Sequence, residues 1–162
     1  MRDPRLDIMT TIVSLLEPMS LPVYTTVPNN EANPFIFLGP MNLSQAINKS
    51  EFQIIGTIDV ELYTGSNSWI GSLLPAYEWL QELKTLLQPN IDFVLPLTDN
   101  HMFIWRMNDD SGFTDITETE KLYVATVQYE FELNPDIITK LYYVVHNGVQ
   151  VTHNGQKVIY HG

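Results

Sequence analysis

The sequence contains no cysteine among its 162 residues. Disulfides, thiolate metal sites and a cysteine nucleophile are therefore excluded, and the redox compartment stays open. Basic residues are also scarce, because 8 Lys and Arg stand against 19 Asp and Glu, for a formal net charge of −11. Nucleic-acid-binding proteins gain much of their affinity from basic groups that displace counterions from phosphates. This charge balance argues against a protein that wraps DNA or RNA.

Long apolar runs are missing as well. No run approaches the ~20 residues that a membrane-spanning helix needs. The first residues, MRDPRLDIM, are charged and show neither an apolar signal-peptide segment nor a small-residue cleavage site. We therefore expect a soluble protein without a signal peptide or a membrane partner. A chain of this length forms one domain, with room for an appendage, and buries roughly 68–70% of its unfolded surface.

The sequence also lacks recognisable catalytic motifs. The serines do not lie in a G-x-S-x-G motif, and there is no Gly-rich phosphate loop. The oxygen-rich segment 108–120 fails the EF-hand spacing, because placing Gly112 at the sixth position puts Met107 first. We expect a structural protein with no cofactor and no enzymatic activity.

The clearest pattern that is present is the strict alternation of residues 57–63, within a predicted strand over 52–64. Its period of two predicts a half-buried strand. One face carries Ile58, Val60 and Leu62, and the other carries Thr57, Asp59, Glu61 and Tyr63. The segment 121–133 alternates in the same way and places Glu130 and Glu132 on its polar face. We predict that the two strands pair in an antiparallel sheet whose apolar side is covered by helices.

The paired carboxylates of these strands are the first candidates for chemistry. Asp59 and Glu61 share a face and resemble a glycosidase dyad, but no histidine, second acid cluster or glycine-shaped pocket is recognisable around them. A surface or interface role is the better interpretation. Glu130 and Glu132 mirror them, and like charges directly opposite each other are destabilising. We therefore expect an intervening strand, or an Arg or Lys from another subunit, to separate the two acidic faces.

Two helices are predicted. Asp3 and Pro4 suit the N-cap and first turn of a helix over 7–17, with Ile8, Ile12, Val13, Leu15 and Leu16 mostly on one stripe. The apolar residues of 69–87, from Trp69 and Ile70 onward, recur at three and four, after a turn at 65–68 that offers polar N-caps. Pro75 either begins the regular helix or kinks it.

The remaining segments complete an α+β fold, a mostly antiparallel β-sheet covered by two helices. We predict edge strands at 23–27 and 35–38, a loop over 41–51, strands at 93–97 and 102–107, and an acidic loop over 108–120.

The segment after residue 133 differs from the rest of the chain in its turn signals. It contains two Asn-Gly pairs, each preceded by histidine, and Asn-Gly favours a two-residue hairpin turn. We predict a C-terminal β-meander extension with strands over 137–146, 149–153 and 156–160. His146 then lies opposite Val149 and His153 opposite Gln156, about 13 Å apart along the strand at 3.3 Å per residue. These histidines are too far apart to share a metal ion.

This extension divides the chain into a ring-forming domain, 1–133, and a C-terminal arm, 134–162. An isolated small sheet is only marginally stable in water. We therefore expect the arm to pack on an adjacent subunit or ring. The candidate arm contacts are Tyr142, Val144, Val149, Val151 and Tyr160.

The first 133 residues resemble, in order, the tail-completion or tail-terminator family of tailed bacteriophages. The resemblance lies in Val23-Tyr24, in Pro-Phe-Ile-Phe-Leu-Gly at 34–39, in 57–64 with the Gly-Ser-Asn turn that follows, and in 125–133. These motifs are structural rather than chemical. The chain departs from the family by its long arm, since members often end soon after the second long strand.

The resemblance implies a virion subunit that forms a homo-oligomeric ring, commonly a hexamer or a larger ring such as a dodecamer. The ring lies at the head–tail junction or tail end, with portal, connector and tail proteins as partners. An acidic channel would let DNA slide through without specific binding. The candidate interface or channel residues are Asp59, Glu61, Tyr63, Glu130, Glu132, Asp109, Asp110 and Asp115.

Three alternatives remain open from the sequence. The chain is a ring protein in the connector stack of a short-tailed phage, a small acidic hydrolase, or a monomeric binding domain with a pocket under the second helix. The hydrolase would use Asp59 and Glu61, or the acidic loop with Asp109, Asp110 and Asp115. The oligomeric state of the purified chain separates these alternatives.

Overall fold

The computed structural model describes residues 3–29, 34–47, 52–65, 73–115 and 122–135, and short strands between 141 and 161. Its main body is a five-stranded sheet with two helices on one face, as the predicted α+β class requires. In chain order the elements are α1 (Pro4–Leu16), β1 (Val23–Tyr24), β2 (Phe35–Ile47), β3 (Phe52–Gly65), α2 (Leu74–Leu87), β4 (Asn100–Asp115) and β5 (Leu122–Pro135). The strand order is β1-β2-β3-β5-β4.

Helix α1 begins where the sequence predicts. The Asp3 carboxylate accepts a 3.0 Å hydrogen bond from the Arg5 backbone N–H, and Pro4 occupies the first turn. Ile8, Ile12 and Leu16 are fully buried, whereas Val13, which the predicted stripe included, is 37% exposed. Positions four apart share one face of a helix, so the buried stripe is narrower than predicted.

Strand β2 continues through the segment 41–51 that was predicted to be a loop. It pairs with β3 as far as Ile47, with a register shift between Leu38 and Met41. Pro40 lies within that shift, where a residue without a backbone N–H removes no regular ladder bond. The predicted loop is therefore wrong up to Ile47. The two-residue strand β1 lies at the edge of the sheet, as predicted, and it runs parallel to β2. The predicted edge position of the strand at 35–38 is wrong, because β2 lies between β1 and β3.

The two long alternating strands are direct antiparallel neighbours. β3 pairs with β5 from Ile54 opposite Leu133 to Gly65 opposite Leu122. The apolar residues of both strands are buried in one core with those of the helices, which confirms the predicted pairing. Gly56 lies opposite Phe131, and a Cβ at this position would lie 2.5 Å from Phe131 Cζ. The absence of a side chain at Gly56 therefore makes room for a buried aromatic ring.

Strand β4 differs most from the prediction. The segment 93–97 is not a strand, and the acidic stretch that was predicted to be a loop is part of β4 as far as Asp115. β4 accommodates this stretch through two register shifts against β5, between Met107 and Asp109 and between Asp110 and Phe113, and the second contains Gly112 at a φ of 61°. Bulges of this kind let polar residues join a strand without a regular ladder.

Helix α2 begins at Leu74 with Pro75 in its first turn, so the first of the two alternatives for Pro75 is confirmed. Its N-cap is Leu73, which makes no side-chain capping hydrogen bond, so the polar N-cap predicted from residues 65–68 is wrong. Trp69 and Ile70, predicted as the start of this helix, lie outside the described residues. The helix buries Ala76, Leu80, Leu83 and Leu87.

Trp105 joins β4 to the end of α2. Its indole Nε1 donates a 2.8 Å hydrogen bond to the carbonyl oxygen of Leu87, and its ring stacks on Tyr129 with centroids 4.7 Å apart. The main-chain N–H of Met107 donates to Gln88 Oε1 at 2.8 Å. Because the last carbonyls of a helix have no intrahelical partner, the bond from Trp105 satisfies one of them. The bond from Met107 to the side chain of Gln88, the C-cap residue, attaches the end of α2 to β4.

The described residues of the arm form short strands: β6 (Leu141–Tyr143), β7 (Val145–His146), β8 (Val149–Gln150), β9 (Thr152–His153), β10 (Gln156–Lys157) and β11 (Ile159–His161). His146 pairs with Val149 and His153 with Gln156, which confirms the register of both predicted turns. The last strand, β11, also returns to pair with β6.

The side chains predicted as arm contacts lie outside the described part of the chain. This holds for Tyr142, Val144, Val149, Val151 and Tyr160. The division of the chain at residue 134 stays a prediction. In the described ranges, no helix is long and apolar enough to cross a bilayer.

Candidate interface on the open face of the sheet

The face of the sheet that points away from the helices carries most of the predicted interface residues; we call it the open face. Alternation places it opposite the buried residues Ile58, Val60 and Leu62 of β3. Residues paired across neighbouring strands share a face, so the register defines its members. Its charged residues are Asp59, Glu61, Glu130, Glu132, Asp109 and Arg106. Five carboxylates and one guanidinium therefore make this face strongly acidic.

The register keeps the carboxylates of β3 and β5 apart. Asp59 lies opposite Gln128, and Gln128 Nε2 donates a 2.9 Å hydrogen bond to Asp59 Oδ1. Glu61 lies opposite Thr126, so no two carboxylates form a directly opposed pair between these strands. The expected intervening strand is wrong, because a neutral residue faces each of these acids.

Arg106 of β4 supplies the cation that was expected from another subunit. It lies opposite Glu130 and forms an ion pair with its carboxylate. The sequence predicted a strand at 102–107, and the signal for this pair is a basic residue within that strand, next in sequence to the acidic strand 121–133. Gln128 receives a further 2.8 Å hydrogen bond on its Oε1 from Asn108 Nδ2. A polar network therefore spans three strands of the open face.

Tyr63 is hydrogen-bonded to Glu61, the second member of the candidate dyad. The Tyr63 hydroxyl donates a 2.7 Å hydrogen bond to Glu61 Oε2. Burial raises the pKa of Tyr63 to about 12, and the bond to Glu61 adds to the rise. The Tyr63 ring stacks on Phe35 with centroids 4.8 Å apart, and Tyr24 meets Phe35 edge-on. The carboxylates of Asp59 and Glu61 therefore each have a hydrogen-bond partner.

Asp109 and Asp110, adjacent in sequence, lie on opposite faces of the sheet. Asp109 is paired with Gln128 on the open face, whereas Asp110 is paired with Val127, whose side chain is buried on the helix side. Asp110 forms an ion pair with Lys84 of α2 and accepts a 3.0 Å hydrogen bond from the Gly112 N–H. Burial would raise the pKa of Asp110, but these hydrogen bonds outweigh it and hold the pKa below its usual value. Asp110 therefore attaches β4 to α2.

Asp115, the third acid of that segment, is paired with Tyr123 at the end of β4, and its side chain lies outside the described part. The eight candidate residues therefore do not form one surface. Among the residues that the structure describes, no three His, Cys, Asp or Glu side chains are grouped to hold a metal ion.

Asp7 is a polar anchor that the sequence did not single out. Its carboxylate accepts hydrogen bonds from the backbone N–H groups of Thr98 at 3.0 Å and Asp99 at 2.9 Å, and from Asn100 Nδ2 at 2.9 Å. Burial would raise the pKa of Asp7, but these bonds outweigh it and lower the pKa. The contacts connect α1 to the start of β4 over more than 90 residues of sequence, and no local pattern reveals them.

The comparisons with known proteins point to a class of fold. Neither the known protein-family models nor the curated proteins give a match. A solved structure described as "Virion of native gene transfer agent (GTA) particle" contains a chain of similar fold, with a TM-score of 0.60 and 13% identity. The match covers 80% of this chain and 92% of that chain. The protein therefore has an α+β fold that also occurs in a chain of a virion particle.

Proposed function

We propose that this protein is a structural subunit of a phage-like virion, with no enzymatic role. Copies of the chain form a ring at the head–tail junction or tail end, where the ring completes or joins the tail and contacts portal, connector and tail proteins. The fold shared with a chain of the gene transfer agent particle supports the virion assignment. The acidic open face is the observation that carries the role in the ring.

On this proposal, the open face lines the channel through which DNA passes. Five carboxylates against one Arg repel phosphates, and the Debye length of about 8 Å at physiological salt confines this repulsion to the channel wall. Gln128, Tyr63 and Arg106 hold Asp59, Glu61 and Glu130 in place. A fixed acidic wall lets DNA slide without binding, because proteins gain affinity for DNA from Lys and Arg side chains that neutralise its phosphates.

The ring is tested on the purified full-length chain by mass photometry and negative-stain electron microscopy. We expect closed rings of uniform size. A strictly monomeric chain that joins neither connectors nor tails would overturn the proposal.

The role of the open face is tested separately in assembled particles. In the double variant Asp59→Lys with Glu61→Lys, we expect rings to form but infectious or transducing titre per particle to fall, because DNA adheres to the channel. The neutral pair Asp59→Asn and Glu61→Gln is the matched control and leaves assembly near normal. If the lysine pair leaves DNA delivery unchanged, the open face does not line the channel.

A further inference from the structure

The charges of the chain are divided unevenly between its two parts. Residues 137–162, which are the arm without its first three residues, contain Lys140 and Lys157 and no Asp or Glu, and Asp136 lies just before them. Residues 1–136 hold all 19 acidic residues and the other six of the eight basic ones. The formal charge is therefore +2 on this terminal segment and −13 on the rest, −11 in total. A basic segment on an acidic protein favours an acidic binding partner of the kind that the rest of the chain offers.

Beyond Pro135, where β5 ends, no described strand of the arm belongs to the main sheet. The described strands of the arm pair only with one another, as β6 with β11, β7 with β8, and β9 with β10. Sheets of two or three short strands are marginal in water unless they pack against another surface. The arm therefore needs a docking surface to be stable.

The outer side of α2 offers a surface of suitable chemistry. A groove of about 520 Å³ runs along it, and its lining includes Tyr77, Glu78, Gln81, Glu82 and Leu86. Tyr77 is 47% exposed although its ring meets Phe113 edge-on. We call this surface the α2 groove. It combines apolar side chains with two exposed carboxylates on a helix whose opposite side faces the core.

The two acids of the α2 groove differ from most of those of the open face. Within the described ranges, neither Glu78 nor Glu82 has a hydrogen bond or an ion pair. Among the described residues of the open face, Asp59, Glu61, Glu130 and Asp109 have partners, and Glu132 has none. Unpartnered carboxylates beside an exposed aromatic ring match an arm that supplies lysines together with tyrosine and valine residues. The α2 groove is therefore the better complement to the arm.

We propose that the arm of one copy docks in the α2 groove of a neighbouring copy. Lys140 and Lys157 pair with Glu78 and Glu82, and apolar residues of the arm cover Tyr77. The inference rests on the proposed function only in requiring that copies associate. In the ring it places the arm on the outside of the neighbour, away from the acidic channel wall.

Charge exchange between full-length variants tests this contact. One variant carries Glu78→Lys with Glu82→Lys, and the other carries Lys140→Glu with Lys157→Glu. In either variant alone, the α2 groove and the arm carry charges of the same sign and repel each other. We therefore expect the self-association constant from sedimentation velocity to fall about tenfold or more. An equimolar mixture restores matched charges in both directions and should recover wild-type association. Failure of the mixture to recover, or no weakening in either variant, would overturn the docking.

Cross-linking identifies the surface directly, because the chain has no natural cysteine. Copies with Gln81→Cys are mixed with copies carrying Thr152→Cys and oxidised. We expect a disulfide-linked dimer on a non-reducing gel. Asn42→Cys, on an exposed position of the sheet, replaces Gln81→Cys as the matched control and should not link. A dimer through Asn42 alone, or no dimer at all, would overturn the inference.

The two proposals fail in different ways. A wild-type chain that forms rings, together with charge variants that associate unchanged, removes the arm contact and leaves the ring. A wild-type chain that stays monomeric removes both.

Discussion

Gln128 Nε2 donates a hydrogen bond of 2.9 Å to Asp59 Oδ1 across the central strand pair. This amide lies between carboxylates on both strands and allows two acidic faces to be direct neighbours. A neutral residue at position 128 therefore favours the pairing of β3 with β5.

We expect Gln128→Glu to lower the free energy of unfolding by about 1 kcal/mol at pH 7, because it places like charges directly opposite each other. Urea denaturation followed by circular dichroism measures the loss, and salt should reduce it by screening. Gln128→Met, which removes the hydrogen bond but adds no charge, is the control and should show no salt dependence. Equal salt dependence in both variants would contradict the explanation.

Gly56 provides a test of close packing in the sheet. A Cβ there would meet Phe131 Cζ at 2.5 Å and the backbone oxygen of Asn42 at 2.7 Å. We expect Gly56→Ala to destabilise the protein by about 3 kcal/mol, because the backbone contact cannot move aside. Gly112→Ala is the comparison: space is open at Gly112, but its φ of 61° makes alanine cost about 1 kcal/mol. Thermal unfolding of both variants should rank them in this order.

Trp105 and Tyr129 stack in the core, but their polar atoms differ in whether they have a hydrogen-bond partner. Trp105→Phe removes the hydrogen bond to the Leu87 carbonyl and part of a buried ring, so we expect a loss of about 2–3 kcal/mol. In the described structure the buried Tyr129 hydroxyl has no hydrogen-bond partner. Tyr129→Phe should therefore leave stability unchanged or raise it, because it removes an unsatisfied polar group. Urea unfolding followed by far-ultraviolet circular dichroism avoids the change in tryptophan fluorescence. Similar losses in the two variants would count against this assignment.

Asp7 gives the fold a pH-dependent contact. Because its folded pKa lies below the usual 3.8, the ionised carboxylate contributes stability above that value, and this contribution is lost as pH falls through the folded pKa. We expect Asp7→Asn to cost about 1 kcal/mol at pH 7, since the partly exposed site is screened by solvent. The difference from wild type should shrink below pH 3.8. Asp92→Asn, at an exposed carboxylate, is the control. A difference that stays constant down to the acid limit would contradict this role.

Periodicity predicted the elements whose two faces differ most. The alternation of β3 and β5 is confirmed. Two predictions from local residue types are also confirmed: the N-cap of α1 at Asp3 and the pairing of the residues that flank the two Asn-Gly pairs. Periodicity failed where polar residues lie in a strand. The segment 108–115 was predicted to be part of an acidic loop, but it pairs with the neighbouring strand β5 through two register shifts and belongs to β4.

The candidate site was predicted only in part for the same reason. Asp59 and Glu61 share a face because alternate residues of a strand always do. Asp109 and Asp110 are separated by the same alternation, but the sequence did not predict it because it did not predict that β4 continues through this segment. The register shifts on either side of the two residues, between Met107 and Asp109 and between Asp110 and Phe113, have no local sequence signal of their own.

By itself, the sequence determined the α+β class, the acidic character and the faces of the two long strands, because hydrophobic burial acts on side-chain period and charge is a property of composition. Only the tertiary structure decided which residues meet. The bond from Gln128 to Asp59, the pairing of Arg106 with Glu130 and the contacts of Asp7 join residues 24 to 93 positions apart. Strand register and helix placement set these contacts, and both result from packing of the whole core rather than from any local pattern.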